Sequence, residues 1–263
     1  MPMAQVKGGD IHYTVVGEGP PLVMLLPQSS GPVGIAPFFA KLSERFLVIR
    51  YDQRGTGQSA PVSSPDGMSM AGRATEAVGL LDALGIERAN LCSHSTGCGI
   101  GVSLVGAHPA RVERLVLVSP WAHGEGHLTT MQQLRIAAAW ALDPYRYAWF
   151  NASLLYPPEY RREHEAGFEQ MAVAAKSAPQ DADQIAGRLN AIMSFDTRPL
   201  TPKIAVPTLI VTGADDQLMP AWFGSEMSES IPNATLVALD SGGHMLPETR
   251  GDAVADAIVN FAG

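Results

Sequence analysis

Five short apolar runs, at residues 22–26, 46–51, 89–92, 115–118 and 208–211, constrain this chain more than any other feature. Each is rich in Val, Ile and Leu and bounded by Gly, Pro, Asn or Ser. A strand with one wet face alternates apolar with polar residues, so continuous runs of this length read as strands covered on both faces, as in a parallel sheet. Parallel neighbours need crossovers, and residues 69–84, 97–107 and 252–261 carry the helical spacing that supplies them. Residues 10–16 differ: Ile11, Tyr13 and Val15 alternate with His12 and Thr14, as in an exposed edge strand. Alternating strand and helix predicts a doubly wound, mostly parallel α/β fold.

One stretch breaks the alternation. Residues 121–198 hold no strand-like run, only helix-like segments at 130–142, 158–177 and 181–193. Their first half is crowded with Trp140, Tyr145, Tyr147, Trp149, Phe150, Tyr156 and Tyr160. The segment leaves the sheet after one strand and returns before another. It is expected to form a helical cap inserted in a core of residues 1–120 and 199–263. The competing reading is a set of extra helices packed on the body, with the aromatics as their core.

Composition excludes several classes. With 46% apolar and 17% charged residues, the 263-residue chain suits a globular protein with a sizeable core. A net charge of -8 and the lack of a Lys/Arg-rich run exclude a nucleic-acid partner, whose phosphates require a basic face. Residues 1–10 do not read as a secretory signal, and no apolar stretch approaches the ~20 residues of a membrane helix. Cys92 and Cys98, six residues apart, make neither a disulfide framework nor a zinc site. A reducing cytoplasmic setting, no metal and no membrane are therefore expected.

The chemistry concentrates where the run at 89–92 meets the helical stretch at 97–107, through Ser93-His94-Ser95-Thr96-Gly97. A tight strand-to-helix turn strains the backbone at Ser95, lifts its hydroxyl above the sheet and aims a helix N-terminus at it. Ser93 stands where this turn usually has glycine, and a small residue is needed there because helix and strand pass closely. A serine hydroxyl is a poor nucleophile until a base takes its proton. The turn requires an acid and then a histidine downstream. After the run at 208–212 comes Gly213-Ala214-Asp215-Asp216, and after residues 235–239 comes Asp240-Ser241-Gly242-Gly243-His244. Both loops follow strand C-termini, where ligands and catalytic groups of open α/β sheets gather. His244 is the expected base and Asp216 its acid, with Asp215 the competitor. His12, His108, His123, His127 and His164 read as surface or core residues, and the two cysteines as packing.

An oxyanion hole needs two backbone N–H donors. Thr96 supplies one. The second is expected from the loop after residues 22–26, Pro27-Gln28-Ser29-Ser30-Gly31, where Pro27 has no N–H; Ser29 is preferred over Gln28. Gln28, His94 and Trp121 are expected to line the substrate pocket.

With these residues in place the chain resembles the α/β-hydrolase family over essentially its full length. Asp52-Gln53-Arg54-Gly55-Thr56-Gly57-Gln58-Ser59 resembles that family's D-x-R-G-x-G-x-S loop. His94-Ser95-Thr96-Gly97, Gly213-Ala214-Asp215-Asp216 and Gly243-His244 match its triad motifs. Within the family it is similar to 3-oxoadipate enol-lactonases and to the aminoacrylate (carbamate) hydrolases of pyrimidine utilisation. For the latter the similarity extends to residues 155–160 and 188–191. The resemblance implies an eight-stranded sheet with a cap, and cofactor-free cleavage of a small-molecule ester, lactone, amide or activated C–C bond through an acyl-enzyme. It implies a small-molecule partner and permits a homodimer. The family's His-Gly before the oxyanion residue is replaced here by Pro27-Gln28, and the Gly-Gly-Pro-Gly of proline iminopeptidases is absent. Ser95 excludes the dehalogenases and epoxide hydrolases, whose nucleophile is aspartate. Two other readings are a cofactor-free dioxygenase, which would want a carboxylate where Val118-Ser119-Pro120-Trp121 stand, and a ligand-binding member that does no chemistry.

Overall fold

The computed structural model describes residues 2–27, 31–62, 65–177 and 180–263. Its strands are β1 (Met3–Ala4), β2 (Ile11–Val16), β3 (Pro21–Leu25), β4 (Leu47–Tyr51), β5 (Ala89–His94), β6 (Val112–Val118), β7 (Thr208–Gly213) and β8 (Ala234–Leu239). They form one eight-stranded sheet in the order β1-β2-β4-β3-β5-β6-β7-β8. Pairing is parallel from β4 to β8 and antiparallel where β1, β2 and β4 meet. The strand read as the sheet's edge, β2, has the two-residue β1 outside it; β1 is too short to leave a periodic pattern.

The helices of the core are α1 (Ala36–Ser43), α2 (Met70–Ala83) and α3 (Thr96–Ala107). Those between β6 and β7 are α4 (Gly126–Ala141), α5 (Pro144–Leu155), α6 (Pro158–Glu163), α7 (Glu165–Ala175) and α8 (Ala182–Ser194). The chain closes with α9 (Ala221–Ser230), α10 (Leu246–Thr249) and α11 (Gly251–Ala262). None of them is long and apolar enough to cross a membrane.

Period-two alternation sorts the strand side chains onto two faces. Val23, Leu25, Leu91, Leu115, Leu117 and Ile210 pack with residues of α2, α3 and α9. Leu22, Met24, Cys92, Val116, Val118, Leu209 and Val211 pack with α1 and α11. Helices on both faces make the sheet doubly wound. Every residue of β5 and of β7 is buried, including the polar Asn90, Ser93 and His94 of β5.

The connection from β3 leads out to β4, and the next strand, β5, returns to the other side of β3. The strand order reverses between β3 and β5, and a crevice opens at their C-terminal ends. The loop after residue 25 and the turn at Ser95 are thereby neighbours. Close seating of α3 reinforces this. A Cβ on Gly97 would lie 1.8 Å from the Leu25 carbonyl oxygen, and one on Gly101 2.4 Å from Ser93 Oγ. The second contact is the reason position 93 must be small.

Residues 158–177, read as one helix, are two. His164 leaves helical geometry (φ −114°, ψ 24°), and both its backbone N–H and its ring Nδ1 reach the Tyr160 carbonyl, at 3.1 and 3.0 Å. A side chain competing for a backbone acceptor ends the run there.

Candidate active site

Ser95 occupies the turn between β5 and α3 at φ 54° and ψ −122°, a conformation non-glycine residues rarely adopt and that costs on the order of 1–3 kcal/mol. Its N–H donates to the Val118 carbonyl (3.0 Å) and its own carbonyl accepts from Cys98 N–H (2.8 Å), which fixes the strained geometry. The hydroxyl meets His244 Nε2 at 2.7 Å. His244 Nδ1 meets Asp216 Oδ2 at 2.8 Å. Asp216 Oδ1 accepts the N–H groups of Leu218 and Met219, each at 2.9 Å. All three side chains are buried. Residues far apart in sequence are thus joined in one chain of hydrogen bonds, carboxylate to imidazole to hydroxyl.

The two neighbouring aspartates separate cleanly. Asp215 Oδ1 accepts the Gly243 N–H at 2.8 Å and so holds the loop that carries the histidine, while Asp216 alone touches the ring. Gly243 and Gly242 take φ of 63° and 134°, which lets that loop turn His244 inward. The His244 and Met245 N–H groups both donate to the Leu155 carbonyl at the end of α5 (3.0 and 3.3 Å), so the inserted helices grip the same loop.

His94 and Trp121, expected in the pocket, are elsewhere. Neither is among the described residues that line the cavity. Trp121 is fully buried beneath α3, its ring edge-on to Phe195 at 6.1 Å and close to Gly99. His94 Nε2 lies 2.9 Å from the His244 carbonyl oxygen, which also accepts the Ser119 hydroxyl at 3.1 Å. Burial, then the charge of the neighbouring His244, pushes the His94 pKa down to about 3. A neutral His94 can donate from Nε2 to that carbonyl, so it buttresses the backbone behind the imidazole.

Thr96 lines the cavity and opens α3, so its N–H belongs to the first helical turn, whose donors have no intrahelical acceptor. Gln28 and Ser29, the candidates for the second donor, lie outside the described residues. Their neighbours are placed. Gly31 N–H is already taken by Glu248 Oε2 at 2.6 Å, and Pro27 lines the cavity. Gln53, unremarked within its glycine-rich loop, also lines the cavity and donates to the Leu26 carbonyl at 3.1 Å, bracing the chain where it leaves β3. Asp52 accepts from Gln58 N–H (2.9 Å) and meets the His12 ring at 2.9 Å, which closes the glycine-rich loop on itself and ties it to β2.

The cavity itself measures about 460 Å³. Ser95, Thr96 and His244 come to it from the sheet; Arg135, Tyr147, Trp149 and Arg188 come from the inserted helices. Burial raises the thiol pKa of Cys92 to about 12 and of Cys98 well above its ordinary value, so neither is a rival nucleophile. Among the described residues no three His, Cys, Asp or Glu side chains cluster as metal ligands.

Comparison with known proteins follows the same lines. Residues 21–250 match the family model described as the alpha/beta hydrolase fold. A protein of Azorhizobium caulinodans with the provisional name carbamate hydrolase RutD is 30% identical over 263 residues, covering 100% of this chain and 98% of the relative. A RutD of Variovorax paradoxus under the same provisional name is 32% identical over 257 residues, 95% of each chain. The crystal structure of the enol-lactonase from Burkholderia xenovorans superimposes with a TM-score of 0.83 at 29% identity, covering 99% of both chains.

Proposed function

The chain belongs to the α/β-hydrolase fold family and is a hydrolase, and from that premise we propose that it is a serine hydrolase acting on a small-molecule acyl compound through an acyl-enzyme. Ser95 is the nucleophile, His244 the base and Asp216 the residue that orients the base. The observation that carries the reading is the continuous path from Asp216 Oδ2 to His244 Nδ1 (2.8 Å) and from His244 Nε2 to Ser95 Oγ (2.7 Å).

Asp216, fixed by two backbone donors, holds Nδ1 protonated and leaves Nε2 free to accept. As Ser95 Oγ attacks the carbonyl carbon, its proton passes to Nε2, and the buried carboxylate stabilises the imidazolium. The Thr96 N–H faces the developing oxyanion, with the second donor proposed from Ser29 or Gln28. The imidazolium then protonates the leaving group. Water, deprotonated by the same ring, hydrolyses the ester to Ser95 and returns the starting state. Every proton transfer has a named side chain, so the cycle is complete without a cofactor.

The substrate class proposed is an ester, lactone or amide, with carbamates included by the names of the relatives and lactones by that of the solved neighbour. Helices α4 to α8 act as the cap that shapes specificity. The dioxygenase reading lacks support: Ser119 stands where that chemistry would want a carboxylate, and its hydroxyl is bonded to the His244 backbone. Two free, buried cysteines suit a reducing compartment, and the cytoplasm is the proposed location.

Ser95→Ala and His244→Ala, assayed on p-nitrophenyl acetate, test the mechanism. Loss of either member of such a triad is expected to lower kcat by on the order of 10⁶ while circular dichroism stays native. Turnover that survives Ser95→Ala would overturn the assignment, and a wild-type protein inert to esters and to fluorophosphonates would favour a binding role.

A further inference from the structure

The cavity is more positive than the rest of the molecule. The chain carries a net charge of -8, yet no Asp or Glu is among the described residues that line the cavity, whereas Arg73, Arg135 and Arg188 are. Arg73 is compensated: its Nη1 lies 3.4 Å from Glu76 Oε2 and donates to the Arg54 carbonyl at 2.8 Å. The other two are not. Arg135, on α4, spends Nε on Asn151 Oδ1 (3.1 Å) and Nη1 on Gln132 Oε1 (3.0 Å), both neutral amide oxygens. Those bonds aim the guanidinium without neutralising it. The acid whose field reaches Arg188, on α8, is Asp181, which is committed to capping that helix through Gln184 N–H at 2.8 Å.

Each of the two guanidiniums is disfavoured first by burial, and each also feels a neighbouring arginine: Arg188 for Arg135, and Arg73 for Arg188. An arginine stays charged regardless. Two like charges facing one cavity without a bonded counter-ion repel each other, and an anion entering that cavity relieves the repulsion. The planar guanidinium fork matches a carboxylate. Arg188 is exposed while also lining the cavity, so it stands at the opening, with the less exposed Arg135 further in.

We propose that Arg135 and Arg188 form an anion subsite on the cap side of the cavity, and that the acyl substrate cleaved at Ser95 bears a carboxylate remote from the scissile bond. This deepens the serine-hydrolase reading and rests on it for the chemistry, though not for the binding. A cavity of about 460 Å³ suits a compact substrate of that kind.

The test pairs mono-4-nitrophenyl glutarate, corrected for its spontaneous hydrolysis, with the neutral 4-nitrophenyl pentanoate. Wild type should favour the charged ester in kcat/KM by roughly tenfold or more, as a charge-assisted bond in a partly dry site allows. Arg135→Gln should take most of that preference away, chiefly through KM. Arg188→Gln should take a smaller part, because solvent screens it, and Arg135→Lys should restore some of what Arg135→Gln loses. If Arg135→Gln fails to fold by circular dichroism, Arg188→Gln carries the comparison. In parallel, calorimetric titration of Ser95→Ala with glutarate, pentanoate and inorganic phosphate reads binding alone. Glutarate binding lost on adding Arg135→Gln supports the subsite even if no ester is ever turned over, an outcome that would sink only the serine-hydrolase reading. A preference ratio near one that neither variant moves, or phosphate binding without glutarate binding, would overturn the proposal.

Discussion

Asp215 and Asp216 share a backbone turn but hold different partners, and the distinction has kinetic consequences. Asp216 touches the imidazole, with its other oxygen fixed by two N–H groups. Asp216→Asn should leave the fold intact and lower kcat by about 10³–10⁴, because the amide favours the wrong ring tautomer. Asp215→Asn keeps an oxygen for the Gly243 N–H and should lose far less; equal losses in steady-state assays would contradict the division of labour. His94 gives a second residue-scale expectation. Its pKa is pushed down to about 3, so between that value and its ordinary 6.5 the unfolded chain binds a proton that the native one refuses. Native stability should therefore fall as pH drops below 6.5, by about 2 kcal/mol at pH 5 from this group alone. Above 6.5 the group should have no effect. His94→Gln keeps a neutral donor and should lose that part of the acid sensitivity in urea titrations at pH 7 and pH 5. An identical pH dependence in variant and wild type would contradict the burial argument.

At the scale of elements, Glu248 on α10 joins parts that the sequence leaves unconnected. Its Oε2 accepts from Gly31 N–H (2.6 Å) and Tyr156 hydroxyl (2.9 Å). Its Oε1 accepts from Val33 and Gly34 N–H (3.0 and 3.2 Å) and from Tyr160 hydroxyl (3.3 Å). One carboxylate thus ties residues 31–34 to α6 and to the residue that ends α5. Glu248→Ala should cost about 2–4 kcal/mol by stranding these donors, lowering Tm by roughly 4–16 °C in calorimetry. Tyr160→Phe removes the longest bond and should cost less; an unshifted Tm in Glu248→Ala would remove the clamp from the account. Nothing local in Leu246-Pro247-Glu248 announces such a role, since the partners lie as far as 217 residues away. By contrast β7 was legible because burial on both faces leaves the apolar run Leu209-Ile210-Val211, and β5, despite Asn90, Ser93 and His94, because it leads directly into the turn at Ser95. Helix α5 was not, although Asp143 caps it by accepting from Arg146 N–H at 2.9 Å and Pro144 sits in its first turn. Its aromatics hid the helical period behind a composition signal. The site divides in the same way. Ser95, Asp216 and His244 sit in short motifs whose order along the chain carries information, so they could be named in advance. His94 and Trp121 could not be placed, because only the packing of α3 and the His244 loop decides which way they point. Arg135 and Arg188 carry no local sign of lacking a partner.

For the molecule as a whole, one doubly wound sheet brings the ends of β3, β5, β7 and β8 to a single rim, and residues of α4, α5, α7 and α8 line the cavity beside it. The rim brings Ser95, His244 and Asp216 together, and those helices bring Arg135 and Arg188 to the cavity of a chain whose net charge is -8. The proposed catalysis depends on Ser95 Oγ being the atom that becomes acylated. The most direct measurement is peptide mapping by mass spectrometry after treatment with a fluorophosphonate. The account predicts one equivalent of adduct, on the peptide containing Ser95, abolished in Ser95→Ala and strongly slowed in His244→Ala. An adduct on another residue, or none from a preparation that hydrolyses p-nitrophenyl acetate, would contradict it.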